Sequence, residues 1–294
     1  MKIETQEISL PILEEKNIRL FVKRLDTVHP FISGNKWFKL KYNLIEAKKL
    51  GYKTLLTFGG AYSNHISATA FSAKEKGFRS IGIIRGEEHF PLNSTLSFAR
   101  ENKMELHYIS RSDYRLKNST DFLDNLRTEF GEFYLLPEGG TNELAIKGTS
   151  EIIERNDMQD YICCSAATGG TIAGVINAAH SMQQVIGFPA IKGSNVLVKD
   201  IKLWTKNKDF KIIDTYCYGG YAKVSKELIQ FINNFHRTQN ILLDAIYTGK
   251  MMMGILDLVS KDYFKEGSTI LALHTGGLQG NKGISERLEV RFYS

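Results

Sequence analysis

Cysteine is scarce in this 294-residue sequence, and its placement excludes two kinds of protein at once. Cys163 and Cys164 are adjacent in an apolar run and Cys217 stands apart, so no pair has metal-ligand or thiol-redox spacing. The three read as small buried hydrophobes in a reducing compartment, and no metal is expected. No uninterrupted apolar run is long enough to span a bilayer, and Met1 to Glu7 lacks the apolar segment of a signal peptide. A cytoplasmic protein with no membrane partner is the expectation. Internal repeats, low-complexity tracts and long Pro/Gly/Ser linkers are missing as well. The net charge is +6, but the basic residues are scattered and not interleaved with aromatics, which argues against a nucleic-acid partner.

What is present is an alternation. With 43% hydrophobic and 24% charged residues, the chain can bury a sizeable core as one large domain or two modest ones. Strands are expected at 18–22, 54–58, 80–84, 105–109, 133–135, 160–165, 184–188, 211–216 and 269–274. Helical patterns fall at 37–50, 64–76, 93–101, 143–155, 170–181, 224–235 and 249–260. Strands alternating with helices predict an α/β protein with largely parallel sheets.

Three loops carry chemistry-bearing residues. In Ser33-Gly34-Asn35-Lys36, a glycine turn gives way to an amphipathic helix whose apolar stripe includes Trp37, Leu40 and Leu44. Lys36 is then a cation in a helix's first turn, where the dipole favours the neutral amine that attacks a carbonyl. Lys36, Lys39 and Lys41 also fit an ordinary solvated surface. In Phe58-Gly59-Gly60-Ala61-Tyr62-Ser63-Asn64-His65, a buried strand runs through glycines into a helix start, which is where open α/β sheets bind ligands. Ser63 or Asn64 would equally serve as a plain N-cap. In Ala167-Thr168-Gly169-Gly170-Thr171, glycines and hydroxyls follow a central strand and open a small-residue helix, forming a cradle for one phosphate. No Lys-Ser/Thr follows these glycines and Gly174 breaks the dinucleotide spacing, so neither ATP nor NAD fits; a tight strand-to-helix turn remains the alternative.

A reactive lysine with a monophosphate cradle points to pyridoxal phosphate, and here a resemblance becomes specific. Gly34-Asn35-Lys36 with Lys39-Leu40, Ser63-Asn64-His65, Pro137-Glu138-Gly139-Gly140-Thr141-Asn142, Thr168-Gly169-Gly170-Thr171-Ile172-Ala173-Gly174, Tyr247-Thr248-Gly249-Lys250 and His274-Thr275-Gly276-Gly277 occur in order along nearly the whole chain. Together they resemble the 1-aminocyclopropane-1-carboxylate (ACC) deaminase and D-cysteine desulfhydrase family, within the tryptophan-synthase-β-like, or fold type II, enzymes. The resemblance implies two open, mostly parallel twisted sheets flanked by helices: a larger cofactor domain from 1–38 and 143–294, and a smaller one from 39–142. The cofactor lies in the cleft between them, and a homodimer is implied.

By the same resemblance, Lys36 anchors the cofactor covalently and acts as general base, while Asn64 meets its phenolic oxygen. Thr168, Gly169, Gly170 and Thr171 hold its phosphate. Ser63, Asn64 and His65 lie near the substrate, with Ser63 also catalytic, and Tyr218 and Tyr247 are the aromatic hydroxyls facing it. Thr248 stands opposite the pyridine nitrogen, where ACC deaminases carry glutamate. A neutral threonine favours a weaker electron sink, suited to β-elimination from D-cysteine or a related amino acid to give a 2-oxo acid and ammonia. ACC ring opening is the alternative. Another fold type II activity, such as a dehydratase or cysteine synthase, is disfavoured by Tyr247 and His65; a non-catalytic binding protein is disfavoured by Lys36 and the intact phosphate loop.

Overall fold

The computed structural model describes residues 2–32, 34–191, 193–206 and 209–292, so Ser33 of the lysine turn lies outside the described residues. Among the described residues, ten strands form two sheets. The larger runs β1 (Thr5–Ile8), β2 (Arg19–Lys23), β10 (Thr269–Leu273), β7 (Tyr161–Ala166), β8 (Gln184–Pro189) and β9 (Phe210–Ile212), parallel throughout except for β1 at its edge. The smaller is fully parallel, in the order β5 (Met104–Ile109), β4 (Arg79–Arg85), β3 (Thr54–Gly59) and β6 (Tyr134–Leu136). Between and after the strands come α1 (Pro11–Glu15), α2 (Asn35–Lys49), α3 (Asn64–Lys76), α4 (Ser94–Glu101), α5 (Thr120–Phe130), α6 (Glu143–Ser150), α7 (Gly170–Ala178), α8 (Ser194–Trp204), α9 (Lys226–Gln239), α10 (Thr248–Ser260) and α11 (Gln279–Leu288). No described helix is long and apolar enough to cross a membrane.

The continuous apolar strands are explained by helices on both faces. Along β10, Ile270 and Ala272 face a core built with α1, α9 and α10, while Leu271 and Leu273 face a second core built with α7 and α8. The adjacent cysteines divide the same way, Cys163 to the first core and Cys164 to the second. Both are buried free thiols whose pKa is raised by desolvation, as expected for space-filling residues. The smaller sheet packs α2, α3 and α4 on one side and α5 on the other. Helix α2 joins the two cores: Phe38 enters the larger sheet's, Leu40 and Ala47 the smaller's.

Several elements depart from sequence expectation. The strand expected at 211–216 ends at Ile212, because a 3-10 turn over Asp214–Cys217 follows, tied by Ser194 Oγ donating to Asp214 at 2.7 Å and Tyr216 Oη to Asp257 at 2.6 Å. Strand β1 and helices α1, α5, α8 and α11 have no counterpart in the expected set. In α8 the apolar Val196 and Leu203 are exposed, and α11 contains Gly280 and Gly283, so neither shows a clean amphipathic pattern. The Gly283 position is set from outside: a Cβ there would sit 2.4 Å from the Tyr62 ring.

Two glycines let α2, α6 and α7 stack at backbone contact. A Cβ on Gly148 would fall 2.0 Å from the Phe38 carbonyl oxygen of α2, and one on Gly174 would fall 2.1 Å from Thr149 Oγ1 and 2.8 Å from the Ile146 carbonyl oxygen of α6. Either methyl must push helices apart. Gly148→Ala is therefore expected to cost about 1–3 kcal/mol, read as a lower denaturant midpoint at unchanged m-value.

Candidate functional site

The helix stack brings the first turns of α2 and α7 to one cavity at the carboxyl ends of β3, β7 and β10. Gly34 makes the turn into α2 at φ +68°, with its Cα pressed against Thr275; a Cβ would lie 1.9 Å from the Thr275 carbonyl oxygen, so only glycine fits. Lys36 lines the cavity with Nζ donating to Asn35 Oδ1 at 3.0 Å, and Asn35 Nδ2 donates to Thr171 Oγ1 of α7 at 2.7 Å. Burial lowers the Lys36 amine to a pKa of about 8, partly opposed by the negative charge of Asp244. It is therefore neutral in a sizeable fraction near physiological pH.

At the other end, Gly169 caps α7 in the left-handed region at φ +78°. Thr168, Gly169 and Thr171 line the cavity, and Gly170 is the first residue of α7; a Cβ on Gly170 would fall 2.7 Å from Thr141 Oγ1. Thr168 Oγ1 lies 2.7 Å from Thr141 Oγ1. Lys39, one turn after Lys36 on the same helix face, reaches this end. It is buried, and its Nζ donates to the Gly139 carbonyl at 2.8 Å, Thr141 Oγ1 at 3.1 Å and Thr168 Oγ1 at 3.5 Å. Burial and the Lys36 charge push its pKa well below the ordinary lysine value. An anion bound there would restore its charge. The sequence signal for Lys39 is its i+3 spacing from Lys36 on one helix face, which by itself carries no role.

Ser63, Asn64 and His65 line the cavity from the start of α3. Ser63 Oγ is also the helix cap, accepting from His65 N–H at 3.2 Å and Ile66 N–H at 3.3 Å. Asn64 Oδ1 accepts from Gln279 Nε2. His65 is buried, and burial with the charges of Lys36 and Lys39 holds its pKa well below the usual histidine value. Thr57 Oγ1 donates to the Leu136 carbonyl at 2.9 Å, so it accepts from His65 Nε2–H at 2.9 Å and leaves Nδ1 as a bare, unpartnered acceptor.

Tyr247 lines the cavity, but Tyr218 does not. Tyr218 takes a left-handed backbone at φ +45° and packs its ring toward Tyr216 and the larger sheet's core. Tyr221, three residues on, lines the cavity instead, with its ring edge-on to that of Tyr247 at 6.2 Å between centroids. Thr248 is fully buried behind the wall, with Oγ1 donating to Asp244 at 2.7 Å while accepting from Asp244 N–H at 2.8 Å. The carboxylate of Asp244 is saturated by Thr248 Oγ1 and the backbone N–H groups of Ile246, Tyr247 and Thr248. Thr275, unlike Thr248, lines the cavity, with its Oγ1 3.1 Å from Ser165 Oγ. Its signal lay in His274-Thr275-Gly276-Gly277, which the sequence reading quoted without a role. No Asp or Glu lines the cavity, and no cluster of metal-ligating residues occurs among the described residues.

A phosphorylated aldehyde fits this donor set. The α7 N-terminus, Thr168, Thr171 and Lys39 form an anion site at one end, and a desolvated amine stands at the other.

Comparison with known proteins gives the same assignment. The model of the pyridoxal-phosphate dependent enzyme family matches residues 3–276. A Thermotoga maritima relative with a provisional ACC deaminase name is 31% identical over 94% of this chain and 94% of its own. The bifunctional mitochondrial D-cysteine desulfhydrase/ACC deaminase of Arabidopsis thaliana is 29% identical over 89% of this chain and 73% of its own. The crystal structure of an ACC deaminase homologue superposes with a TM-score of 0.84 at 26% identity, covering 98% of this chain and 93% of the other. A serine ammonia-lyase structure from Rhizomucor miehei, at 14% identity and a TM-score of 0.64, shares the fold alone. The chain is a pyridoxal-phosphate-dependent enzyme of fold type II and belongs to the ACC deaminase and D-cysteine desulfhydrase family.

Proposed function

We propose that this enzyme eliminates the β-substituent of D-cysteine or a related small amino acid, yielding a 2-oxo acid and ammonia. The observation that carries the reading is the absence, among the described residues, of a carboxylate from the cavity wall, where neutral Thr275 and Ser165 stand and the nearby acid Asp244 is saturated by its own helix start. Thr275 is then the group that would face the ring nitrogen, while Thr248 is turned into the wall onto Asp244. Pyridoxal phosphate, when bound, supplies the electron sink for charge developing at the substrate's Cα. With no acid to hold its nitrogen protonated, that sink is modest, which favours a substrate with an acidic Cα–H and a good leaving group over opening a ring that has no Cα–H.

The chain's own groups divide the remaining work. Lys39, Thr168, Gly169, Gly170 and Thr171 hold the phosphate, and Asn64 orients the ring. Lys36 anchors the cofactor and takes the α-proton at Nζ, a role suited to a base with a pKa of about 8. Ser63 and Asn64 receive the substrate carboxylate, while His65 stays neutral and accepts a hydrogen bond at Nδ1. Burial raises the pKa of both Tyr221 and Tyr247, so their hydroxyls remain protonated and donate to the departing group. The family resemblance and the buried free cysteines support a homodimer in the cytoplasm.

Measured 2-oxo-acid release should be fastest from D-cysteine among D-cysteine, L-cysteine, D-serine and ACC; turnover of ACC with none from D-cysteine overturns the proposal. Lys36→Ala should abolish the visible absorption band of lysine-bound cofactor and lower kcat by roughly 10²–10⁴-fold. Because the neutral amine is the nucleophile, cofactor capture by the apoenzyme should accelerate with rising pH and level off above about 8. A solvent-exposed lysine would instead keep accelerating toward pH ~10.4.

A further inference from the structure

Lys250 is a buried ammonium whose hydrogen bonds go to main-chain carbonyls. It is 2% exposed, and its Nζ donates to the Cys217 carbonyl at 3.0 Å and the Gly220 carbonyl at 2.7 Å; no carboxylate lies within ion-pair distance of it among the described residues. A buried cation is costly unless its donors are satisfied, so whatever holds these two carbonyls in place is bound to the lysine as firmly as the lysine is to them.

The segment it grips is the least regular near the cavity. Tyr218, Gly219, Gly220 and Ala222 all have positive φ, at +45°, +88°, +107° and +54°, and two of the four are not glycine. A left-handed non-glycine residue costs free energy and persists only where surrounding contacts fix it. The next residue after the gripped Gly220 is Tyr221, which reaches the cavity and sets its ring edge-on to that of Tyr247, 6.2 Å between centroids. Tyr247 and Lys250 are three residues apart at the start of α10, so one helix end delivers a tyrosine to the cavity and a cation to the loop that carries the other tyrosine.

We infer that Lys250 is a positioning residue: by holding the Cys217 and Gly220 carbonyls it fixes the 217–222 loop, and so sets Tyr221 against Tyr247 over the reacting end of the cavity. It touches no substrate, and its effect passes through Tyr221. The catalytic part of this inference rests on the proposed role of Tyr221, whereas the structural part does not.

The test uses the holoenzyme and Lys250→Met, which keeps the length of the stem and removes the donors. Amide hydrogen exchange should quicken across 217–222 while α9 and β10 stay protected. On the best substrate, kcat/KM should fall by about 100-fold, the scale expected when a reacting group is misplaced by about an ångström. In a Tyr221→Phe background, Lys250→Met should cost less than about threefold more, because both changes act on one hydroxyl. Unchanged exchange at 217–222 overturns the inference, as does a full additional loss in the double variant. Should Lys250→Met fail to fold, Lys250→Gln, which keeps an amide donor for one carbonyl, is read by the same exchange and kinetic criteria. If none of the four amino acids is turned over, the function proposed above fails on that result, and the exchange measurement still decides the loop's dependence on Lys250.

Discussion

The site depends on how closely α2, α6 and α7 approach one another. With Gly148 under the Phe38 carbonyl and Gly174 under Thr149, the three helices meet without intervening side chains. That contact fixes the separation of two helix N-termini, one carrying Lys36 and the other the Gly169-Gly170 turn, and the Asn35–Thr171 hydrogen bond registers them. Both termini present the positive end of a helix dipole to the same space. The arrangement attracts an anion and, with burial, favours an uncharged lysine, so a single packing constraint prepares the phosphate site and the reactive amine together.

A second constraint concerns negative charge. Asp244 is fully buried near the cavity, yet every oxygen lone pair it directs inward is taken by donors from its own helix start. Its field still reaches Lys36, where it opposes part of the desolvation. The cavity thus feels a carboxylate without offering one to a ligand. His65 is held in a similar way: Thr57, having given its proton to the Leu136 carbonyl, fixes the histidine tautomer, and burial, with two buried lysines nearby, keeps the ring uncharged.

Much of this was legible in the sequence. The apolar strands, the glycine turns and their order along the chain indicated an α/β fold and the three loops that carry Lys36, Ser63 to His65 and Thr168 to Thr171, because those features are local. Residues separated by one face of one helix were harder. Lys39 looked like a surface charge beside Lys41, and only α2's burial between both sheets shows that one of the pair is enclosed while the other is solvated with Glu151. The crowded Tyr216, Tyr218 and Tyr221 could not be separated by spacing, since the backbone between them leaves regular geometry and reverses which ring faces the cavity. The sequence motif pointed to Thr248 and gave Thr275 no role; that Thr248 turns into the wall rests on its hydrogen bond to Asp244, which no sequence pattern revealed.

The sequence by itself pointed to the cofactor and to Lys36 as the lysine proposed to anchor it, since a glycine turn, a helix start and a phosphate cradle each need only neighbouring residues. Tertiary structure decided which hydroxyls, which tyrosine and which charges share the cavity with that lysine. Those assignments depend on distances between segments more than a hundred residues apart, such as Asn35 with Thr171 and Gly34 with Thr275, and on the burial that shifts Lys36, Lys39 and His65 away from their ordinary protonation.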